Sequence, residues 1–155
     1  THIAAKKVGA TTFTAFPKVT VSKDENGCLV IHAPRISQEP IVTTDVVAIF
    51  SNKKFQWLGR LDNVINSGGI KLMPEVIEEK LSLYIPHRFF VAGKADVKLG
   101  EKLILIIESD KYDIEASAFV SLEKYEKPKE IHFVKNFKET PTGKIIRKET
   151  LLELV

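Results

Sequence analysis

Cysteine is almost missing from this chain. Cys28 is the single one, so no internal disulfide can form. A lone thiol among apolar neighbours is expected to be a buried strand residue, because free cysteine packs as a small hydrophobe. The histidines are scattered, and no Cys/His cluster has zinc-ligand spacing. His32 and His132 read as packing or surface residues of strands. Long apolar runs are also lacking. The longest strongly apolar stretch is Leu103 to Ile107, far short of a membrane span. Thr1 to Ala10 has no apolar core of the kind a signal peptide requires. Charge of one sign is missing too. The net charge is +3, which is no nucleic-acid signature. Residues 1–58 hold seven basic and four acidic side chains, and 59–155 hold sixteen of each, interspersed as on a solvated surface. No internal repeat or low-complexity tract occurs. These absences predict a folded cytoplasmic protein with no membrane span and no nucleic-acid partner.

What is present suits a modest size. At 155 residues the chain can form one domain, or a small domain plus a piece of another. Before Gly59 it reads as short strands divided by turns. Val19 to Val21 and Leu29 to His32 flank Lys23-Asp24-Glu25-Asn26-Gly27, whose Asn-Gly favours a hairpin. Val46 to Phe50 and Lys54 to Leu58 form a second hairpin around Ser51-Asn52-Lys53. After Gly59 the pattern changes. Val64 to Asn66 and Ile70 to Leu72 bracket Ser67-Gly68-Gly69, a tight turn whose glycines permit positive φ. Pro74 opens a helix, with Ile77, Leu81 and Tyr84 on its inner face. His87 to Gly93, Lys102 to Glu108 and Glu130 to Val134 read as strands, the second apolar on both faces and therefore central. Asp113 is expected to cap a helix carrying Ile114, Ala118, Leu122 and Tyr125, and Arg147 to Val155 to form a last one. The fold class is α+β: a small antiparallel β unit, then a domain with a β-hairpin and a three-stranded sheet covered by helices. The boundary falls near Asp62, giving units 1–60 and 61–155.

Two motifs carry chemistry. Lys144 follows Pro141-Thr142-Gly143, so its side chain projects from a turn. A positioned ammonium of this kind stabilises negative charge that develops at a reacting phosphate. Gly143-Lys144 is not a phosphate-cradling Walker loop, since the earlier glycine is missing. The second motif is Gly59-Arg60-Leu61-Asp62-Asn63-Val64-Ile65-Asn66-Ser67-Gly68-Gly69-Ile70-Lys71. Upstream of it, Thr43-Thr44-Asp45 places a carboxylate just before a strand, and two acceptor oxygens match the two donors of a cis-diol.

Together these segments resemble the carboxyl-terminal part of the acyl-CoA synthetase family of adenylate-forming enzymes. The likeness spans nearly the whole chain. Thr140-Pro141-Thr142-Gly143-Lys144-Ile145-Ile146-Arg147 resembles the family's Thr-x-x-Gly-Lys-Ile-x-Arg signature, which implies that Lys144 is the adenylation lysine. The resemblance also implies that Asp45 and Arg60 hold the nucleotide ribose and that Asp62 is the hinge between two poses of a small mobile domain. By the same likeness, Ser67, Gly68, Gly69 and Lys71 lie against the pantetheine arm of coenzyme A. Thr44 stands where the family has glycine and stiffens that loop, while Asn63 replaces a second aspartate beside the retained pivot. His2 lies where the substrate-lining segment ends, but the motif that precedes it is not in this chain.

Within the family, Thr1-His2-Ile3-Ala4, Phe55-Gln56-Trp57-Leu58-Gly59-Arg60 and Asn63-Val64-Ile65-Asn66-Ser67-Gly68-Gly69 are similar to the o-succinylbenzoate–CoA ligase branch of menaquinone synthesis, in which the Ser-Gly-Gly turn and Pro74-Glu75-x-x-Glu78 recur. The implied substrates are ATP, coenzyme A and a small, aromatic carboxylic acid. Magnesium is implied for the whole enzyme, with no ligand in this chain. The family's phosphate loop and magnesium-binding glutamate are not among these residues, so the chain is expected to be a part of an enzyme and inactive alone. A fatty acyl-CoA ligase, a peptide-synthetase adenylation domain and a standalone non-enzymatic accessory domain remain open alternatives.

Overall fold

A computed structural model describes residues 2–154, which divide into two compact units, one ending at Asn63 and the other beginning at Val64. The first unit is all strand: β1 (Ala4–Ala5), β2 (Thr12–Ala15), β3 (Thr20–Lys23), β4 (Cys28–His32), β5 (Ile41–Ser51) and β6 (Lys54–Arg60). They form one antiparallel sheet in the order β1-β2-β6-β5-β4-β3. The β3–β4 turn is built as its sequence requires. Asp24 Oδ1 accepts hydrogen bonds from the backbone N–H groups of Asn26 and Cys28, and Gly27 takes φ +82°. Val21, Leu29, Ile31, Val47 and Phe55 make the core of the unit, and Phe13 stacks on Phe55 with ring centres 5.4 Å apart. Cys28 is buried on β4, where burial pushes its thiol pKa up.

A short 3₁₀ turn, Leu61–Asn63, ends that unit. The second contains β7 (Ile65–Ser67), β8 (Ile70–Leu72), α1 (Pro74–Leu81), β9 (Phe89–Asp96), β10 (Gly100–Glu108), β11 (Glu130–Val134) and α2 (Arg147–Leu152). Strand β10 is central because its apolar run serves two cores. Leu103, Leu105 and Ile107 pack with Ile77 and Leu81 of α1 and with Ile85 and Leu122. Ile104 and Ile106 face the other way, onto Phe90, Ala92 and Phe137, with Leu151 of α2 beside them. All five are at most 1% exposed. Each contributes about 1.5–3 kcal/mol by leaving water, which explains why the strand alternates in direction but not in polarity.

Strand β9 runs antiparallel along one edge of β10, and β11 runs parallel along the other. The β7–β8 hairpin is not a separate piece. Gly100 pairs with Ser67 as well as with Asp96, so the hairpin extends the same sheet to five strands.

Two expectations need correction. Tyr84 lies beyond the end of α1 at Leu81 and is 47% exposed, so it does not extend the inner stripe. Residues 113–125 do not form an α-helix; only the 3₁₀ turn Ala116–Phe119 forms there. Ala118 and Leu122 are buried as the stripe predicts, while Tyr125 is exposed. The physical reason lies in the residues between. Ser117, whose hydroxyl donates to the Glu115 carboxylate, and the β-branched Val120 both have weaker helix propensity than Ala or Leu. The apolar contacts of this crossover are kept without helical backbone.

Candidate functional site

Asp45 and Arg60 are direct partners across β5 and β6. Arg60 Nε lies 3.7 Å from Asp45 Oδ1, and both side chains are partly exposed. Trp57 Nε1 donates to the same Oδ1 at 3.2 Å. The backbone N–H of Asp45 donates to Thr43 Oγ1 at 3.1 Å, and that hydroxyl donates to the Leu29 carbonyl at 3.0 Å. Trp57 and Arg60 thus both address Oδ1, and among the described residues no hydrogen bond engages Oδ2.

A bulge creates this arrangement. Val46 pairs with Gly59 but Val47 with Trp57, so Leu58 is an extra residue and the strand bends. Gly59, at φ +152°, adopts backbone angles open chiefly to glycine. Asp45 and Trp57 border an open groove of about 360 Å³ whose walls are Ile3, Ala4, Phe13, Leu29, Ile31 and Phe55, with His2 at its side. One carboxylate thus ends an otherwise apolar groove, a pattern typical of small-molecule sites. Trp57 is the residue that sequence reasoning did not assign; its indole N–H, two positions before Gly59, was the available signal.

The Ser67-Gly68-Gly69 turn joins β7 to β8 with φ +59° at Gly68 and +83° at Gly69. Gly68 donates its N–H to the Leu99 carbonyl at 2.8 Å, which ties the turn to the β9–β10 connection. A side chain at Gly68 would meet Leu99 at 3.3 Å, whereas one at Gly69 would enter open space. Lys71 is exposed on β8, and Asp62 is exposed in the 3₁₀ turn.

Lys144 stands at the tip of a narrow hairpin. Glu139 and Ile145 form a β-bridge at its base. Thr140 N–H donates to the Lys144 carbonyl at 2.8 Å, and Lys144 N–H donates to Thr140 Oγ1 at 3.1 Å. Gly143 closes the turn at φ +77°. Residues 141–144 are all exposed. Among the described residues no carboxylate pairs with the Lys144 ammonium, which leaves it available to an anion.

Below the hairpin lies a charge pair that links two of the quoted motifs. Arg147 Nη1 is 2.8 Å from Glu78 Oε1 and Nη2 is 3.0 Å from Oε2. Arg147 Nη1 also donates to the Val91 carbonyl at 3.0 Å, while Val91 N–H donates to Glu78 Oε1 at 2.7 Å. Among the described residues strand β9 pairs with β10 alone, so these side chains satisfy the backbone of a sheet edge. Burial raises the Glu78 pKa, and the guanidinium of Arg147 opposes that rise. Both residues were visible in their motifs; their pairing across 69 positions was not.

Among the described residues, no group of three or more His, Cys, Asp or Glu is placed to hold a metal ion. None of their helices is long and apolar enough to cross a membrane.

No family model matches the chain. It is 30% identical over 140 residues to 3,4-dihydroxybenzoate–[aryl-carrier protein] ligase of Bacillus anthracis, covering 88% of this chain and 33% of that protein. It is 34% identical to an acyl-CoA synthetase (AMP-forming)/AMP-acid ligase II-like protein from Dyadobacter fermentans, with a TM-score of 0.59. That match covers 99% of this chain and 48% of the other. The fold and sequence are similar to part of AMP-forming ligases. E. coli MenE, solved with an analogue of OSB-AMS bound, superposes with a TM-score of 0.72 over 98% of this chain and 37% of its own, at 21% identity. At that identity the likeness speaks for the fold alone. The chain spans about a third of the curated relative and about half of the Dyadobacter protein.

Proposed function

We propose that the chain is the carboxyl-terminal part of an ATP-dependent acid–thiol ligase, with residues 1–60 completing its large nucleotide-binding domain and 61–155 forming its small mobile domain. The observation that carries this reading is the Asp45–Arg60 partnership beside the apolar groove, in a chain whose relatives are AMP-forming ligases. Asp45 accepts hydrogen bonds from the ribose hydroxyls, with Trp57 holding its other oxygen, and Arg60 lies beside the same sugar. An oxygen of the substrate carboxylate attacks the α-phosphorus of ATP. The bond to the pyrophosphate oxygen breaks, and acyl-AMP and pyrophosphate result. The Lys144 ammonium, which no carboxylate among the described residues pairs with, offsets the negative charge gathered there. Asp62 is the pivot for the second pose, in which a thiol attacks the acyl carbonyl and AMP leaves. Gly69 offers the open backbone, and Ser67, Gly68 and Lys71 the flanks, along which a pantetheine arm lies. Magnesium would bind to residues outside this chain and screen the triphosphate.

The proposed acid is o-succinylbenzoate and the proposed thiol coenzyme A. Supporting them is the wording of Phe55 to Arg60 and of Asn63 to Gly69. A second reading has one observation in its favour: the curated relative loads an aryl-carrier protein. The full-length protein decides between them. ATP–pyrophosphate exchange is measured with o-succinylbenzoate, 3,4-dihydroxybenzoate and dodecanoate, then transfer to coenzyme A or to a carrier protein. Exchange with none of these acids counts against the adenylation reading. Transfer to a carrier alone replaces coenzyme A as the acceptor. A reading frame confined to these residues favours the accessory-domain alternative.

A further inference from the structure

We propose that Arg88 is a positioning residue for Lys144, acting through Glu139 on the hairpin that carries it; this rests on the assignment of Lys144 to adenylation. Residues 141–144 are all exposed and belong to no core cluster, so no core contact fixes where the tip lies. The bonds within the hairpin, between Thr140 and Lys144 and across the Glu139–Ile145 bridge, set its shape and not its place. Its place comes from the two legs. The second leg is anchored by Arg147 on Glu78 and the Val91 carbonyl.

The first leg is held at Lys138, whose N–H donates to Thr150 Oγ1 at 3.0 Å and whose ammonium lies 2.7 Å from Glu153 Oε1, and on either side of it through Arg88. Phe137 is buried at its start, and its N–H donates to Glu108 Oε1 at 2.7 Å. Arg88 Nη1 donates to Glu108 Oε2 at 3.0 Å while Nη2 donates to Glu139, and the guanidinium lies over the Phe137 ring, 5.6 Å from its centre. One rigid fork thus joins the end of β10 to the residue just before the loop. Without it, the Glu108 and Glu139 carboxylates lose their shared cation, and their repulsion pushes this leg outward. Lysine, with a single point charge, cannot reproduce a fork across two carboxylates.

The Arg88 side chain is half exposed and its loss leaves the core contacts in place, so Arg88→Gln is expected to fold. In the full-length protein, Arg88→Gln and Glu139→Gln should each slow pyrophosphate exchange about tenfold to a hundredfold, since a displacement of about 1 Å suffices for the larger loss. The KM for ATP and thioester formation from supplied acyl-AMP should stay near parent values. Arg88→Lys should restore part of the rate. In a Lys144→Ala background, Arg88→Gln should cost nothing further, because the group it positions is already gone. Parent-rate exchange by Arg88→Gln, with Lys144→Ala crippled, overturns this proposal and leaves the adenylation reading standing. A harmless Lys144→Ala overturns both. Equal losses in both half-reactions, or a further loss in the Lys144→Ala background, identify Arg88 as a general structural residue and overturn the positioning role.

Discussion

Arg147→Met isolates the charge pair that closes the edge of the second sheet. The methionine keeps most of the aliphatic stem but not the guanidinium, whose carbon lies 5.5 Å from the Phe90 ring centre. What it removes is two contacts to Glu78 and one to the Val91 carbonyl. Among the described residues, Glu78 then keeps the Val91 N–H alone as a hydrogen-bond partner. Stripping one partner from a fully buried pair costs about 3–5 kcal/mol. Here the side chains remain 19% and 24% exposed, so water reaches the orphaned carboxylate, and a loss of about 2–4 kcal/mol is expected at pH 7. The loss must also depend on pH. Burial already holds the Glu78 pKa above its ordinary 4.5, and removing the opposing guanidinium raises it further. Between the ordinary value and the raised one, the folded state binds more protons than the unfolded state. Stability therefore falls as pH rises through that window, and the deficit of the variant narrows as pH drops toward 4.5. Hydrogen-exchange protection of the β10 amides from Ile104 to Ile106 measures this within the second unit. A deficit below about 1 kcal/mol at pH 7, or one that does not change with pH, refutes the reasoning.

Three further outcomes are expected. Lys144→Ala in the full-length protein should slow adenylation on the order of 100-fold or more while sparing thioester formation from acyl-AMP, and equal losses in both would point to general damage. Gly69→Trp and Asp62→Pro should keep pyrophosphate exchange and lose thioester, the first by filling the open space beside Gly69 and the second by restricting Leu61 at the junction; thioester made by Gly69→Trp at the parent rate removes the coenzyme A assignment. Lys102, His132 and Lys94 hold the Glu130 carboxyl down to about 2, so a side-chain carbon titration followed by NMR should find its midpoint there, and any stability it lends above pH 4.5 should fade as pH falls toward 2; a midpoint near 4.5 refutes it.

Local signals in the sequence matched local structure closely. Asn26-Gly27, Pro74 and the double glycine at 68–69 each demand particular backbone angles, and each turn or helix start stands where its residues place it. The run Leu103 to Ile107 identified the central strand because only a strand buried on both faces can be apolar throughout. What periodicity could not supply was the competition within residues 113–125, where an apolar stripe at helical spacing packs on irregular backbone. Nor could it supply partners far apart in sequence. Arg88 and Glu139 lie 51 residues apart and sit in no motif. Asp45 and Arg60 were paired by likeness, but the bulge at Leu58 that lets Trp57 reach the same carboxylate is a property of strand register.

Four of the proposed functional positions share a physical character that makes the predictions separable. Lys144, Asp62, Gly69 and Lys71 are all exposed, and the Lys144 side chain has no hydrogen-bond or ion-pair partner among the described residues. Truncating such a lysine changes stability by about 0.5 kcal/mol or less. Gly69 costs more to replace, about 1–2 kcal/mol, because φ +83° strains any side-chain-bearing residue, but no neighbouring atom is displaced. A hundredfold loss of rate corresponds to about 2.7 kcal/mol of transition-state stabilisation. Losses of that size at Lys144 exceed what destabilisation could produce in a protein that is still folded. The charged residues beneath behave the opposite way: Glu78 and Arg147 hold the sheet edge and the leg of a hairpin with the same atoms. A rate loss at either must therefore be corrected for unfolding before it is read as chemistry, whereas one at the hairpin tip need not be.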